Sequence, residues 1–170
     1  MSTTPPDSSA EPLTLEQLVD WAGDRTRLLY EGTVVAHRSC GIALAETFGR
    51  ETRPYQALRR GGITGDGQCG AIKAGELILG ELFGDPDPTG AVTDTLRRAI
   101  LRYRTLWRAE VDRGEVHSII CNDLTGQFET FHAPERHHFC TQIAEDVARC
   151  VARTVIEMGA QVETTPAPER

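Results

Sequence analysis

Lysine is almost missing from this chain. Lys73 is the only one, and arginine carries nearly all the positive charge. A basic excess is missing too. Acidic residues outnumber basic ones 25 to 18, for a formal net charge of −7, so no positive field exists to hold a nucleic acid or an anionic membrane surface. No run approaches the ~20 consecutive apolar residues that a membrane-spanning helix needs. The N-terminal MSTTPPDSSAEP has neither the basic start nor the apolar core of a secretion signal. These absences set the expectation of a cytoplasmic protein with no nucleic-acid and no membrane partner. A reducing compartment argues against a disulfide scaffold, and an odd count of 5 cysteines fits a closed disulfide set poorly. The cysteines are then available for metal binding, redox chemistry or simple burial. No two of them form a CxxC pair, so the fold has to assemble any shared site.

With 170 residues, 39% hydrophobic and 25% charged, the composition is that of one globular domain large enough to bury a core. Residues 1–12, rich in Ser, Thr, Pro and Asp, read as a disordered tail, and so do residues 160–170 with Pro166 and Pro168. Residues 13–159 carry helical patterns and no convincing strand. Thr14 and Gln17 make a capping-box pattern ahead of Leu15, Leu18, Val19, Ala22, Leu29 and Tyr30 at helical spacing. A second helix is expected from Val34 to Phe48, stopped by Gly49, with His37, Cys40, Leu44 and Phe48 on its inner face. Pro54–Arg60 reads as a short helix and Gln68–Phe83 as the central one, ended by Gly84 and the DPDP segment.

A long helix is expected from Thr89 or its neighbours to Val111, with Val92, Leu96, Ala99, Ile100, Tyr103 and Trp107 on one stripe. Arg97, Arg98, Arg102, Arg104 and Arg108 cover much of the rest, as a solvated face or as a docking surface for an acidic electron-transfer partner. VHSIIC is compatible with a strand or with a first helical turn. The last helix is expected from Glu135 to Met158, with Cys140, Ile143, Val147, Cys150, Val151, Val155 and Met158 inward. The fold class is therefore all-α: a single-domain bundle of about five main helices with a Gly-rich loop at the central helix N-terminus. So small a bundle with an exposed arginine face is also a candidate homodimer.

Chemistry concentrates in residues 59–84, RRGGITGDGQCGAIKAGELILGELFG. Gly61, Gly62, Gly65, Gly67 and Gly70 surround Cys69 just where a helix begins, and free N–H groups at a helix start lower a thiol's pKa. GDGQCG formally satisfies GxGxxG, but no strand precedes it and no βαβ unit surrounds it, so a dinucleotide site is rejected. Asp66 reads as a turn residue. Cys40, Cys69, Cys121 and Cys140 fall near element starts or on inner helix faces. Four thiolates are what a [2Fe–2S] or [4Fe–4S] cluster, or a closed zinc site, requires. Cys150 lies about 15 Å beyond Cys140 along a helix rising ~1.5 Å per residue, too far to share one compact cluster, and reads as core. His37, His137 and His138 read as hydrogen-bonded histidines, with a ligand or proton-relay role as the alternative. Trp21 and Trp107 read as core aromatics.

Taken in order, RSCGIALAETFG, GDGQCGAIKAGELILG, IICNDLTG and FCTQIAEDVARCV resemble the four cysteine segments of a known family, the putative redox-active proteins with a C…GCAxxG…C…C pattern. The resemblance runs over roughly residues 34–156. It departs where Lys73 and Glu76 replace small or apolar residues, and where Ala74, followed by Gly75, stands at an expected glycine. The resemblance suggests an iron–sulfur cluster, because a related domain occurs in a cluster-bearing cytochrome. Cys40, Cys69, Cys121 and Cys140 would be its ligands, and the loop of Gly65, Gly67 and Gly70 would offer backbone N–H donors to its sulfides. Three functions are thus in view. The first is a small electron-transfer or redox-sensing protein with such a cluster and a partner protein still to be identified. The second is a thiol–disulfide oxidoreductase with Cys69 as nucleophile and one of the other three as the resolving thiol. The third is a structural bundle with zinc or no metal.

Overall fold

Thr14 closes both arms of a capping box: the Gln17 N–H donates to its hydroxyl (3.3 Å) and the Gln17 side chain accepts from its N–H (2.9 Å). Helix α1 follows as Leu15–Glu31 and stops at Gly32, whose φ is 76°. The computed structural model describes residues 12–166, so most of the expected N-terminal tail and residues 167–170 lie outside the described residues.

The next helix, α2, is Cys40–Thr47, six residues shorter at its start than the sequence pattern suggests. The backbone before it is engaged elsewhere: Arg38 N–H donates to the Leu29 carbonyl (2.8 Å), folding residues 33–39 back along the end of α1. Ser39 is extended at the N-cap position. His37 therefore does not share a helix face with Cys40.

A 3-10 turn, Pro54–Leu58, leads into the glycine loop, and α3 runs Gly70–Phe83. Helix α4, Asp94–Glu110, starts later than Thr89 because Asp87 holds the Thr89 hydroxyl and N–H (both 2.8 Å) in a turn. Thr93 caps it instead, accepting from Leu96 N–H at 3.0 Å. Val92 consequently falls outside the helix and is exposed, while Ala99, Tyr103 and Trp107 are buried. VHSIIC is extended and makes one isolated antiparallel bridge, Gln68 with Ile120, before the short α5, Cys121–Thr125. Helix α6, Pro134–Glu157, is the longest at 24 residues. The described residues thus hold six helices and no strand, an all-α fold.

Helix α6 packs against α1, α2, α3 and α4, and α3 against α2, α4 and α6. The core joins Val147, Val151 and Val155 of α6 to Ile72, Ile78 and Leu79 of α3, Leu29 of α1 and Leu44 of α2. Each such side chain contributes about 1.5–3 kcal/mol by leaving water. Trp107 is buried and Trp21 packs against the same core. Among the α4 arginines, Arg102 grips Glu157 and Arg104 grips Glu76 of α3, which also takes Lys73 at 2.9 Å. The departure at Lys73 and Glu76 therefore ties α3 to α4. Past α6 the chain runs without helix or strand to residue 166, with Val162 buried and Arg25 donating to the Pro166 carbonyl (2.7 Å). Among the described residues no helix is long and apolar enough to cross a membrane.

Two non-glycine residues of the glycine loop hold left-handed backbone, Arg60 at φ 48° and Ile63, and Ile63 is the more strained. Ile63 is β-branched, 61% exposed, and held at φ 75°, a region such side chains rarely enter. Ile63→Asn should raise unfolding stability by about 1 kcal/mol, because asparagine tolerates left-handed backbone and little burial is lost. Urea titration checks this; an equal or lower midpoint would contradict it.

Candidate functional site

The glycine loop is built to hold two cysteines together. Cys69 N–H donates to the Ile119 carbonyl (2.7 Å), Cys121 N–H to the Gly67 carbonyl (2.9 Å) and Asn122 N–H to the Gly65 carbonyl (2.8 Å). Gly65 sits at φ +87°, with the Asn122 amide oxygen in the place a Cβ would take, so any other residue here would be strained and would push the Asn122 side chain aside. Asp66 completes the clamp by accepting from the Asn122 side-chain NH2 at 3.0 Å. The Gly67 N–H is already bonded to Gly61. Gly65 and Gly67 thus fix Cys121 through their carbonyls and lie outside the wall of the cavity described below; of the three predicted glycines, Gly70 lines it.

Cys69 is the N-cap of α3, Cys40 opens α2 and Cys121 opens α5, so three helix starts converge. Gly70 makes this convergence possible: a Cβ there would press on the Leu58 carbonyl oxygen (2.5 Å) and the Cys40 sulfur (2.9 Å). Cys140 joins from the second turn of α6. All four thiols line one half-open cavity of about 360 Å³. Cys150 does not. It is buried on the far side, its thiol donating to Glu110 at 4.0 Å, and burial pushes its pKa up to about 12.

The cavity holds one acidic thiol among resistant ones. The Cys40 thiol directed at Cys69 favours the Cys69 thiolate; burial opposes it, and the nearby amides of Ile72 and Ala71 add to the favourable side. Its pKa falls to about 7, although its sulfur closes no full capping hydrogen bond. Cys40 is driven the other way, as the donor to that thiolate and by burial. Burial and the Cys69 charge push Cys121 up to about 11, and raise Cys140 against the pull of Arg136 and Tyr30.

Basic and aromatic groups complete the wall. Arg136 is buried; its Nε donates to the Phe131 carbonyl (2.6 Å) and its Nη1 to the Tyr30 hydroxyl (3.3 Å). Its guanidinium lies 4.3 Å from the Phe131 ring centroid, and that of Arg60 lies 4.8 Å from the same ring. His37 binds the Tyr30 carbonyl, and its pKa is lowered mainly by burial. His137 stacks on the Tyr30 ring at 5.3 Å. His138 is exposed and takes no part in the wall. The Ser39 hydroxyl lines the cavity and is buried without a partner. No Asp or Glu lines the cavity.

Among the described residues, no three His, Cys, Asp or Glu side chains converge into a ready-made shell for a single metal ion. The donor set nevertheless suits a sulfur-ligated cluster: four soft sulfurs, one idle hydroxyl and positive charge nearby, with no competing carboxylate. Sequence reasoning missed Tyr30, Phe131, Arg59, Arg60 and Arg136. Arg136 was within reach, since it stands one helical turn before Cys140 and so on the same face. Phe131 lies in a loop and carries no such signal.

A family model described as Putative redox-active protein (C_GCAxxG_C_C) matches residues 38–154, a span that includes all four cavity cysteines. No curated protein and no solved structure matches the chain.

Removing the Cys40 thiol should raise the Cys69 pKa above its value of about 7, because the thiolate loses its strongest donor. Alkylation rate against pH on the metal-free Cys40→Ala protein, with the modified peptide mapped, measures this. An unshifted profile would contradict the assignment.

Proposed function

The chain belongs to this family of redox-active proteins, and on that premise we propose that it is a small redox protein holding an iron–sulfur cluster on Cys40, Cys69, Cys121 and Cys140. One observation carries the reading: four cysteines from four separate helices, and not the fifth, line a single cavity. Such a cluster supplies one-electron transfer. The residues around it have definable tasks. Cys69 is the most readily ionised of the four, whereas Cys40, Cys121 and Cys140 are held protonated and must release protons as metal binds. Arg136 places a buried positive charge beside Cys140, which favours an added electron and raises the potential. The Ser39 hydroxyl is a free donor to sulfur.

The proximity of Cys40 to the Cys69 thiolate favours a second reading, a thiol–disulfide exchanger. There the Cys69 thiolate attacks a partner disulfide and releases one partner thiolate. Cys40 then attacks the Cys69 sulfur, releasing the second and leaving a Cys40–Cys69 bond.

Anaerobic purification from iron-replete cells, with iron and acid-labile sulfide determined, separates the readings. The cluster reading expects both elements, most of the iron lost on changing any one of Cys40, Cys69, Cys121 or Cys140 to Ser, and full retention in Cys150→Ser. Protein with neither element, in which mild oxidation links Cys40 to Cys69, would establish the exchanger. Zinc without sulfide would overturn both.

A further inference from the structure

Six arginines, Arg27, Arg38, Arg102, Arg104, Arg149 and Arg153, each stand within 4.0 Å of an Asp or Glu. Arg59, Arg60 and Arg136 have no such partner, and unlike the other unpaired arginines they are gathered in one place. They line the same cavity, which has no acidic residue in its wall, and none of them forms an ion pair among the described residues. A shortage of acids does not explain this in a chain of net charge −7. Two of the three crowd one ring: Arg60 and Arg136 both lie over Phe131, within 4.8 Å of its centroid. Like charges so placed repel, and Arg136, whose Nε and Nη1 go to the Phe131 carbonyl and the Tyr30 hydroxyl, has no carboxylate beside it.

We propose that the arginine-lined side of the cavity binds a small oxyanion, a carboxylate or phosphate group carried by a reactant of the centre. Guanidinium forks pair with both groups through two parallel hydrogen bonds. Arg59 and Arg60, exposed, receive the anion from solvent, while Arg136, only 8% exposed, holds its inner end. The unpartnered Ser39 hydroxyl offers one more donor. A volume of about 360 Å³ is at the small end of ligand pockets. The role as a reactant site rests on the redox reading above; the binding itself does not.

Calorimetric titration of the as-purified protein with inorganic phosphate, with acetate, and with neutral acetamide tests this. Saturable binding of phosphate or acetate, absent for acetamide, is expected. It should weaken by about tenfold or more in Arg136→Gln and in Arg60→Asn, as loss of a charge-assisted pair requires. Should Arg136→Gln fail to fold, Arg60→Asn carries the comparison, since that side chain is exposed. Binding of phosphate alone identifies a phosphate-bearing ligand, and of acetate alone a carboxylate. No binding of either, or binding unchanged by the substitutions, overturns the proposal. Iron and sulfide measured on the same sample keep the two ideas apart: an iron-free protein that binds anions retires the cluster only, and an iron-loaded protein that binds none retires the anion site only.

Discussion

Three backbone hydrogen bonds, joining Gly65, Gly67 and Cys69 to the segment Ile119–Asn122, are the constraint on which the site depends. They bring two cysteines distant in sequence side by side without a sheet or a disulfide. Gly61, Gly62 and Gly65 take positive φ along the way, and a Cβ at Gly65 would meet the Asn122 side chain. Around this clamp the helices supply the rest. The start of α3 meets the start of α2 at Gly70, adding Cys40, and α6 crosses behind with Cys140 and Arg136 one turn apart.

The electrostatic consequence is a graded set of thiols. Cys69 sits where a neighbouring thiol and two amides favour its charge; the other three are held protonated by burial and by that same charge. A cavity with one thiolate, several guanidiniums and no carboxylate is positive in an acidic protein. This local inversion of sign is compatible with an anionic centre and with anionic traffic to it. It also explains why the arginines of α4, which read from sequence as a candidate docking face, are less informative: two of them are occupied by Glu157 and Glu76.

The capping box at Thr14, the long period of α6 and the exclusion of Cys150 were legible because each rests on local spacing along one helix. The four cysteines were legible as a set through their order and surroundings. What escaped was set by contacts between distant segments. Helix α2 loses its first residues because Arg38 is bonded to Leu29, which no local pattern announces, and His37 moves with it to the Tyr30 wall. Of the glycines read as donors to a bound group, Gly65 and Gly67 accept from the 121–122 backbone, a pairing visible only once the loop and α5 are adjacent, while Gly70 lines the cavity. Arg59, Arg60 and Phe131 looked like ordinary loop residues until the fold placed them around one cavity.

The central claim is that Cys40, Cys69, Cys121 and Cys140 act as one centre and Cys150 stands apart. Differential alkylation of the native, anaerobically purified protein, mapped by peptide mass before and after treatment with oxidant and chelator, tests it most directly. The account predicts that the four cysteines change reactivity together while Cys150 stays unreactive in both states. Four independent responses, or a Cys150 that changes with the others, would contradict it.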